Sequence, residues 1–448
     1  MLRIGIGRIV RVAIFGLFMA SCGEGGGSVS GTPGGMTGGP PSVGGGGGSG
    51  GVGVGQIDTT FGQDGGTITP LASSGDIDEA NAVTIQPDGK IVLAGRSDNG
   101  SGTGKTDFAV VRYNAAGSLD TTFGGDGKVT TFTQDTNADG FGDTNAIAYA
   151  VAIQSDGKIV AAGVSDNDFA LIRYRADGTL DPTFGVGGIV VTSVGGGVDA
   201  IRAMALQPAD GKIMVAGESS GDFVVARYNT DGALDPFFGG TGIVVTPMAG
   251  SSSIHALALQ PDGKVVTAGV SNGHFALARY STAGVLDGTF DTDGIVEGGP
   301  GQANALALQG DGKIVVGGFV SGSGGSDFAL LRFDATGAPD LSFGAFGRVV
   351  TSIGSGDAEI NGLTLYPSGK IVSVGFVDHG TDSDFALVGY TTAGTLDVTF
   401  GETGQVVTPI SLADDEAKAV ALQADGRVVV AGSADADFVV VRYNAPGL

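Results

Sequence analysis

Cysteine is almost missing from these 448 residues. The single one, Cys22, excludes an internal disulfide framework, and with three histidines no Cys/His cluster of zinc spacing can be drawn. Basic residues are scarce too. Lys+Arg 23 against Asp+Glu 47 leaves a net charge of -24, which argues against nucleic acid or anionic lipid as the partner of a folded domain. Helical periodicity is lacking throughout. What remains is a chain that is 42% hydrophobic with 85 glycines, a combination that suits many short apolar strands joined by tight turns. Stability must come from burial in an all-β fold.

Arg3, Arg8 and Arg11 precede the apolar stretch from Val12 to Phe18, which is too short to span a bilayer as a helix. Residues 1–21 read as a signal peptide. Met19-Ala20-Ser21-Cys22 resembles the lipobox of bacterial lipoproteins, in which the Cys is lipidated and becomes the new N-terminus. An ordinary signal peptide with an incidental Cys is the alternative, and the position of the only Cys weighs against it. The acyl chains that the resemblance implies on Cys22 would anchor the protein stably, at about 0.8 kcal/mol per buried CH₂. Residues 22–55 hold the lipidated Cys and a Gly/Ser-rich linker with nothing to bury, expected as a disordered tether of about 30 Å end-to-end distance. The expected location is the bacterial cell envelope, lipid-anchored, at the outer membrane facing the periplasm or the cell surface. The lipid anchor is the only membrane contact expected.

From residue 56 to 448 three landmarks recur seven times. Leu-Asp-x-x-Phe-Gly, with variations, falls at Asp58, Asp120, Asp181, Asp235, Asp287, Asp340 and Asp397. An Asp-Gly-Lys turn falls at Asp88, Asp156, Asp210, Asp262 and Asp311, then as Ser368-Gly369-Lys370 and Asp425-Gly426-Arg427. Asp-Phe-Ala-x-x-Arg-Tyr recurs around Phe108, Phe169, Phe223, Phe275, Phe328, Phe385 and Phe438. In residues 127 to 174 apolar runs at Lys128 to Thr133, Ala148 to Gln154, Lys158 to Gly163 and Phe169 to Tyr174 alternate with turn signals, so each repeat supplies four strands. Seven repeats of this size predict a seven-bladed β-propeller of four-stranded antiparallel blades, which protects its sheet edges by radial repetition. The chain stops close to where Ile57-Asp58 resumes the repeat. A strand near Thr67 to Thr69 is therefore expected to complete the last blade and close the ring, leaving a monomeric propeller.

The Leu-Asp-x-x-Phe-Gly and Asp-Gly-Lys-Ile-Val elements resemble the delta-60 repeat, a bacterial propeller-like repeat of unassigned function, over residues 56 to 448. A weaker similarity to NHL-type propellers implies that Ala148 to Gln154 is an inner strand. The resemblance implies a fold and no catalytic residues.

Residues present in every repeat are best explained by what every blade must do. Period two places Phe108, Val110 and Arg112 on one strand face and Ala109, Val111 and Tyr113 on the other, both meeting neighbouring blades. Arg112 would then need a carboxylate or carbonyl partner, the repeated Asp among them. Function should sit where repeats differ. One polar position of each inner strand does: Asn81, Tyr149, Arg202, His255, Asn304, Asn361 and Lys418, each followed by Ala or, in the sixth, Gly362. These seven are expected to ring one mouth of the central channel, either as a ligand-binding ring or as an indifferent water-filled lining. Arg202, His255 and Lys418 would favour a negatively charged small ligand there. The loops at this end differ among repeats whereas the turns at the other end are nearly uniform, and the tether is expected to enter at the uniform end.

The interval from Asp88 to Asp156 is the longest. It contains Asp135, Asn137, Asp139, Gly140 and Asp143 with the spacing of a calcium loop, although Ala146 stands where the bidentate Glu would be. Calcium and a solvated acidic loop both remain open. The function expected is a non-catalytic binding or scaffold module for a protein or carbohydrate ligand of the cell envelope, with no nucleic acid. The alternative is a propeller hydrolase, lactonase-like or sugar-processing, at the channel mouth; it would need a positioned base and a metal or second carboxylate beside His255.

Overall fold

The computed structural model describes residues 53–71, 77–98, 105–132, 145–322 and 324–445. The chain divides into Met1–Pro40 and Pro41–Leu448, and every described residue belongs to the second unit. Cys22 with its leader, most of the linker, and the loop carrying Asp135, Asn137, Asp139 and Asp143 lie outside the described residues. Among those described, 28 strands form seven antiparallel sheets of four. No helix of the described residues is long and apolar enough to cross a membrane.

Local chemistry explains the strands. Apolar β-branched runs such as Ile91–Asp98 are punctuated by turns that need positive φ, supplied by Gly89 at +85° and Gly117 at +89°. Blade one runs outward from Asp78–Ile85 through Ile91–Asp98 and Thr106–Tyr113 to Lys128–Thr131. The seven innermost strands neighbour one another in turn, and Asp415–Leu422 of blade seven lies against Asp78–Ile85 of blade one. The result is a closed seven-bladed propeller.

Sequence repeat and blade are offset by one strand. Lys128–Thr131, which opens the 127–174 window, pairs with Thr106–Tyr113 in blade one; the other three strands of that window form blade two with Ile189–Thr192. The same offset closes the ring. Gly66–Thr69 pairs with Asp437–Tyr443 and completes blade seven, and Arg442 donates to Asp58 at 2.9 Å across the junction of the two chain ends. The docked chain includes Val54 and Gly55: Gly401 N–H donates to the Val54 carbonyl and Gly55 N–H to that of Asn444. The chain thus enters at the end bearing the uniform turns.

Each third strand buries both faces between blades, as its alternation predicts. Phe108 and Val110 pack with Ala146, Ile159 and Tyr174 of blade two, whereas Ala109, Val111 and Tyr113 pack with Phe61, Val429 and Phe438 towards blade seven. Burial of each such Phe contributes roughly 1.5–3 kcal/mol. Tyr113 adds a polar latch, its hydroxyl lying 2.7 Å from Thr69 Oγ1 in the outer strand of the preceding blade.

The repeated Arg has both kinds of partner at once. Arg112 donates through Nε to Asp120 at 2.7 Å and through Nη1 to the Ala176 carbonyl of the next blade at 2.6 Å, and it lies 4.7 Å from the Phe123 ring centre. Thr122 Oγ1, which accepts from Arg112, donates to the same Asp120 carboxylate. Equivalent ion pairs join Arg173 to Asp181, Arg227 to Asp235, Arg279 to Asp287, Arg332 to Asp340 and Arg442 to Asp58. Arg112, Arg173, Arg227, Arg279, Arg332 and Arg442 each also donate through Nη1 to a carbonyl of the following blade, which bolts one blade to the next; blade six has no such Arg. There Gly389 stands in its place, and Asp397 is held by Lys370 at 2.8 Å instead.

Candidate functional site at the channel mouth

Asn81, Tyr149, Arg202, His255, Asn304, Asn361 and Lys418 occupy equivalent places on the seven inner strands, and each is half-buried. Every one is the unpaired residue of a β-bulge. Strand register shifts between Ala80 and Ala82 in blade one, between Ile201 and Ala203 in blade three, and at the same step in the other five. A bulge leaves one residue out of the ladder and re-aims its side chain. A glycine faces each bulge: a Cβ on Gly95 would lie 1.8 Å from the Glu79 carbonyl oxygen, and one on Gly217 1.8 Å from that of Ala200. An isolated Gly inside a strand was the signal in the sequence for this close approach, and the reading from polar positions alone missed it.

Four ring residues tie neighbouring blades together. Asn81 donates to the Ala148 carbonyl at 3.0 Å, Asn304 to that of Ile360 at 2.9 Å and Asn361 to that of Ala417 at 2.9 Å. His255 Nδ1 lies 3.1 Å from both the Ala303 carbonyl and Asn304 Oδ1. Both partners are acceptors, so Nδ1 carries the proton and Nε2 is left as an acceptor. Burial, together with the nearby Arg202, pushes the His255 pKa below its usual value, which keeps the imidazole neutral. A neutral, doubly anchored imidazole reads as a staple between inner strands.

Tyr149, Arg202 and Lys418 break this pattern. The Arg202 guanidinium lies 4.4 Å from the Tyr149 ring centre, and its Nη2 donates to Glu218 at 2.8 Å. Lys418 pairs with Glu416. With Arg202 and Lys418 both compensated by glutamates and His255 neutral, the basis for expecting an anionic ligand disappears. The sequence reading set Glu416 among carboxylates leading into the ring but did not place Glu218 at the mouth. Where blades two and three lack a staple, a cleft of about 360 Å³ opens beside Tyr149 and Arg202, bordered by Asn145, Asn167 and Val198.

Acid gathers on the far side of the ring. Burial raises the Glu359 pKa to about 7, with Asp357 and Glu416 adding repulsion. The folded state then binds this proton more tightly than the unfolded chain, so stability falls as pH rises from about 4.5 to about 7. Glu359→Gln should raise stability at pH 8 by roughly 2 kcal/mol and leave it unchanged at pH 4. Thermal melts at the two pH values check this, and an equal shift at both would refute the linkage. No group of three or more His, Cys, Asp or Glu side chains among the described residues is arranged to hold a metal. The proposed calcium loop is outside that set.

Six of the seven repeats match one β-propeller family model. It is described as "Domain of unknown function (DUF5122) beta-propeller" and matches residues 86–123, 154–184, 209–238, 260–290, 309–343 and 423–447. The unmatched repeat is the sixth, where Ser368 replaces the turn Asp and Gly389 the buried Arg. No curated protein matches the chain. Among solved structures the Dos1 propeller aligns with a TM-score of 0.51 at 12% identity, covering 85% of this chain and 95% of that one. A streptogramin B lyase aligns at 0.46 and 11%, covering 85% and 98%. Sqt1 from Chaetomium thermophilum aligns at 0.45 and 14%, covering 82% of each chain. At these identities the likeness is one of fold.

Proposed function

We propose that the protein is a lipid-anchored, extracytoplasmic propeller that acts as a non-catalytic binding or scaffold module through the end where its repeats differ. The observation that carries this reading is the division of labour between the two ends. At the uniform end the recurring Arg and Asp side chains are consumed by inter-blade bolts, with Arg112 spending its donors on Asp120, Ala176 and Thr122. At the other end Tyr149 and Arg202 stack on each other instead of reaching a carbonyl of the next inner strand, and they border a cleft. Binding residues concentrate on such non-uniform surfaces held by a rigid scaffold. Entry of the chain at the uniform end, beside Gly401 and Asn444, leaves the cleft end clear of the incoming segment.

Labelled palmitate should enter the wild type and not Cys22→Ala; equal labelling of both removes the anchor from this reading. The wild-type chain and a variant whose 193–198 and 411–414 loops are replaced by Gly-Ser should then be compared as baits in envelope extract. A ligand retained by the first and lost by the second supports binding at the differing end. Identical profiles would overturn it.

A further inference from the structure

The geometry points to a neutral sugar ring of an envelope glycan as the ligand of the cleft between blades two and three. This rests on the binding-module reading above and supplies the chemistry of its site. The first observation is that the cleft occurs where the stapling rule fails. Asn81, His255, Asn304 and Asn361 each reach the next inner strand, whereas Tyr149 has turned its ring to Arg202. The cleft beside this stacked pair measures about 360 Å³, within the size range of small-molecule sites.

The second observation is the state of Arg202. Its guanidinium is laid against Tyr149 at 4.4 Å and clamped by Glu218 at 2.8 Å, so its remaining N–H donors are fixed before any ligand arrives. Nε is buried and has no hydrogen-bond partner among the described residues. Being buried, Nε is closed to a ligand, so a ligand oxygen would meet the other N–H groups of the guanidinium.

The third observation is the chemistry of the walls. Ile147, Val164 and Val198 present aliphatic surface, the Asn145 and Asn167 amides offer both donors and acceptors, and the Asp166 carboxylate stands in the wall with Arg202. A pyranose matches that mixture, with C–H groups for the aliphatic wall and hydroxyls that donate and accept in turn. Charge excludes the other small classes. An anion attracted by Arg202 meets Glu218 at hydrogen-bond distance from it, and a cation drawn to Glu218 meets Arg202. A vicinal diol suits a wall that holds a guanidinium and a carboxylate, accepting from Arg202 and donating to Asp166.

The test uses the full chain and four probes: maltotriose, the trimer of N-acetylglucosamine, digalacturonic acid and inorganic phosphate. Saturation-transfer NMR and calorimetry at low salt should show binding of at least one neutral trisaccharide and weaker or no binding of the two anions. Tyr149→Ala should weaken that binding at least tenfold, Tyr149→Phe should keep most of it, and Lys418→Ala across the ring should leave it unchanged. Thermal melts of each variant separate lost binding from lost folding. Preference for digalacturonic acid or phosphate, binding indifferent to Tyr149→Ala in a folded variant, or no neutral trisaccharide bound at millimolar concentration would each overturn the proposal. If the sugar test fails while the loop-replaced bait still loses a ligand from envelope extract, the binding module stands and the sugar does not. If both fail, the module reading fails as well.

Discussion

A chain beginning at Ser73 should melt about 10 °C below one beginning at Gly51, or lose cooperative unfolding altogether. The truncation removes Gly66–Thr69, the outer strand of blade seven, with the buried side chains of Phe61 and Ile68. Those two burials contribute roughly 1.5–3 kcal/mol each. It also removes Asp58, leaving the buried guanidinium of Arg442 without its carboxylate, a loss of about 3–5 kcal/mol. Divided by an unfolding entropy of about 2.1 cal/mol/K per residue, the sum corresponds to a shift of the stated size. The strand Asp437–Tyr443 would then lie at an unpaired sheet edge, so aggregation should accompany the lower melting point. Calorimetry and light scattering on the two chains check both effects. Equal melting temperatures would show that the ring does not depend on closure by its N-terminal strand.

The second large effect concerns the bolts between blades. Asp120→Ala should destabilise the propeller by about 3–5 kcal/mol, because it strands the guanidinium of Arg112 in a buried site. Asp397→Ala, in the one blade where Gly389 replaces the Arg, should cost only about 1 kcal/mol, since the partially exposed Lys370 can turn to water. Denaturant melts of the two variants give the comparison, and equal losses would mean that the Arg is not what makes the bolt. The same carboxylates set an acid limit. Burial opposes ionisation of Asp120, Asp235 and Asp287, but hydrogen bonds from neighbouring side chains and amides outweigh it, helped by each bolt's Arg, and hold all three pKa values below the usual range. A folded pKa below the unfolded one means stability that is present above about pH 4 and lost as pH falls through the folded values. Acid unfolding should therefore begin below pH 4 and be less steep in Asp120→Ala, which has one such carboxylate fewer.

By itself the sequence determined the strands, the count of blades and the two buried faces of each third strand. These follow from period-two alternation and turn chemistry, which act over a few residues and are repeated seven times. Phe108 and Ala109 pack against opposite neighbours because they are adjacent in a strand, and nothing more distant is needed to know it. The polar ring was also legible, as a position, from its place before a run of alanines. What that ring does was decided by tertiary structure. Whether a polar residue on an inner strand staples, stacks or binds depends on the carbonyl or ring that closure brings from the next blade: Ala148 for Asn81, but Tyr149 for Arg202. The glutamate that compensates Arg202 depends on strand pairing in the same way, whereas Glu416 lies two residues from Lys418 on one strand. Glu218 stands on the strand beside that of Arg202, and only the bulge between Ile201 and Ala203 brings the two side chains together. A bulge is a misfit between two paired strands, so it has no place in the periodicity of either one alone. The seven strand glycines that make room for it could be read in the sequence, but their reason lay in the backbone carbonyls they face.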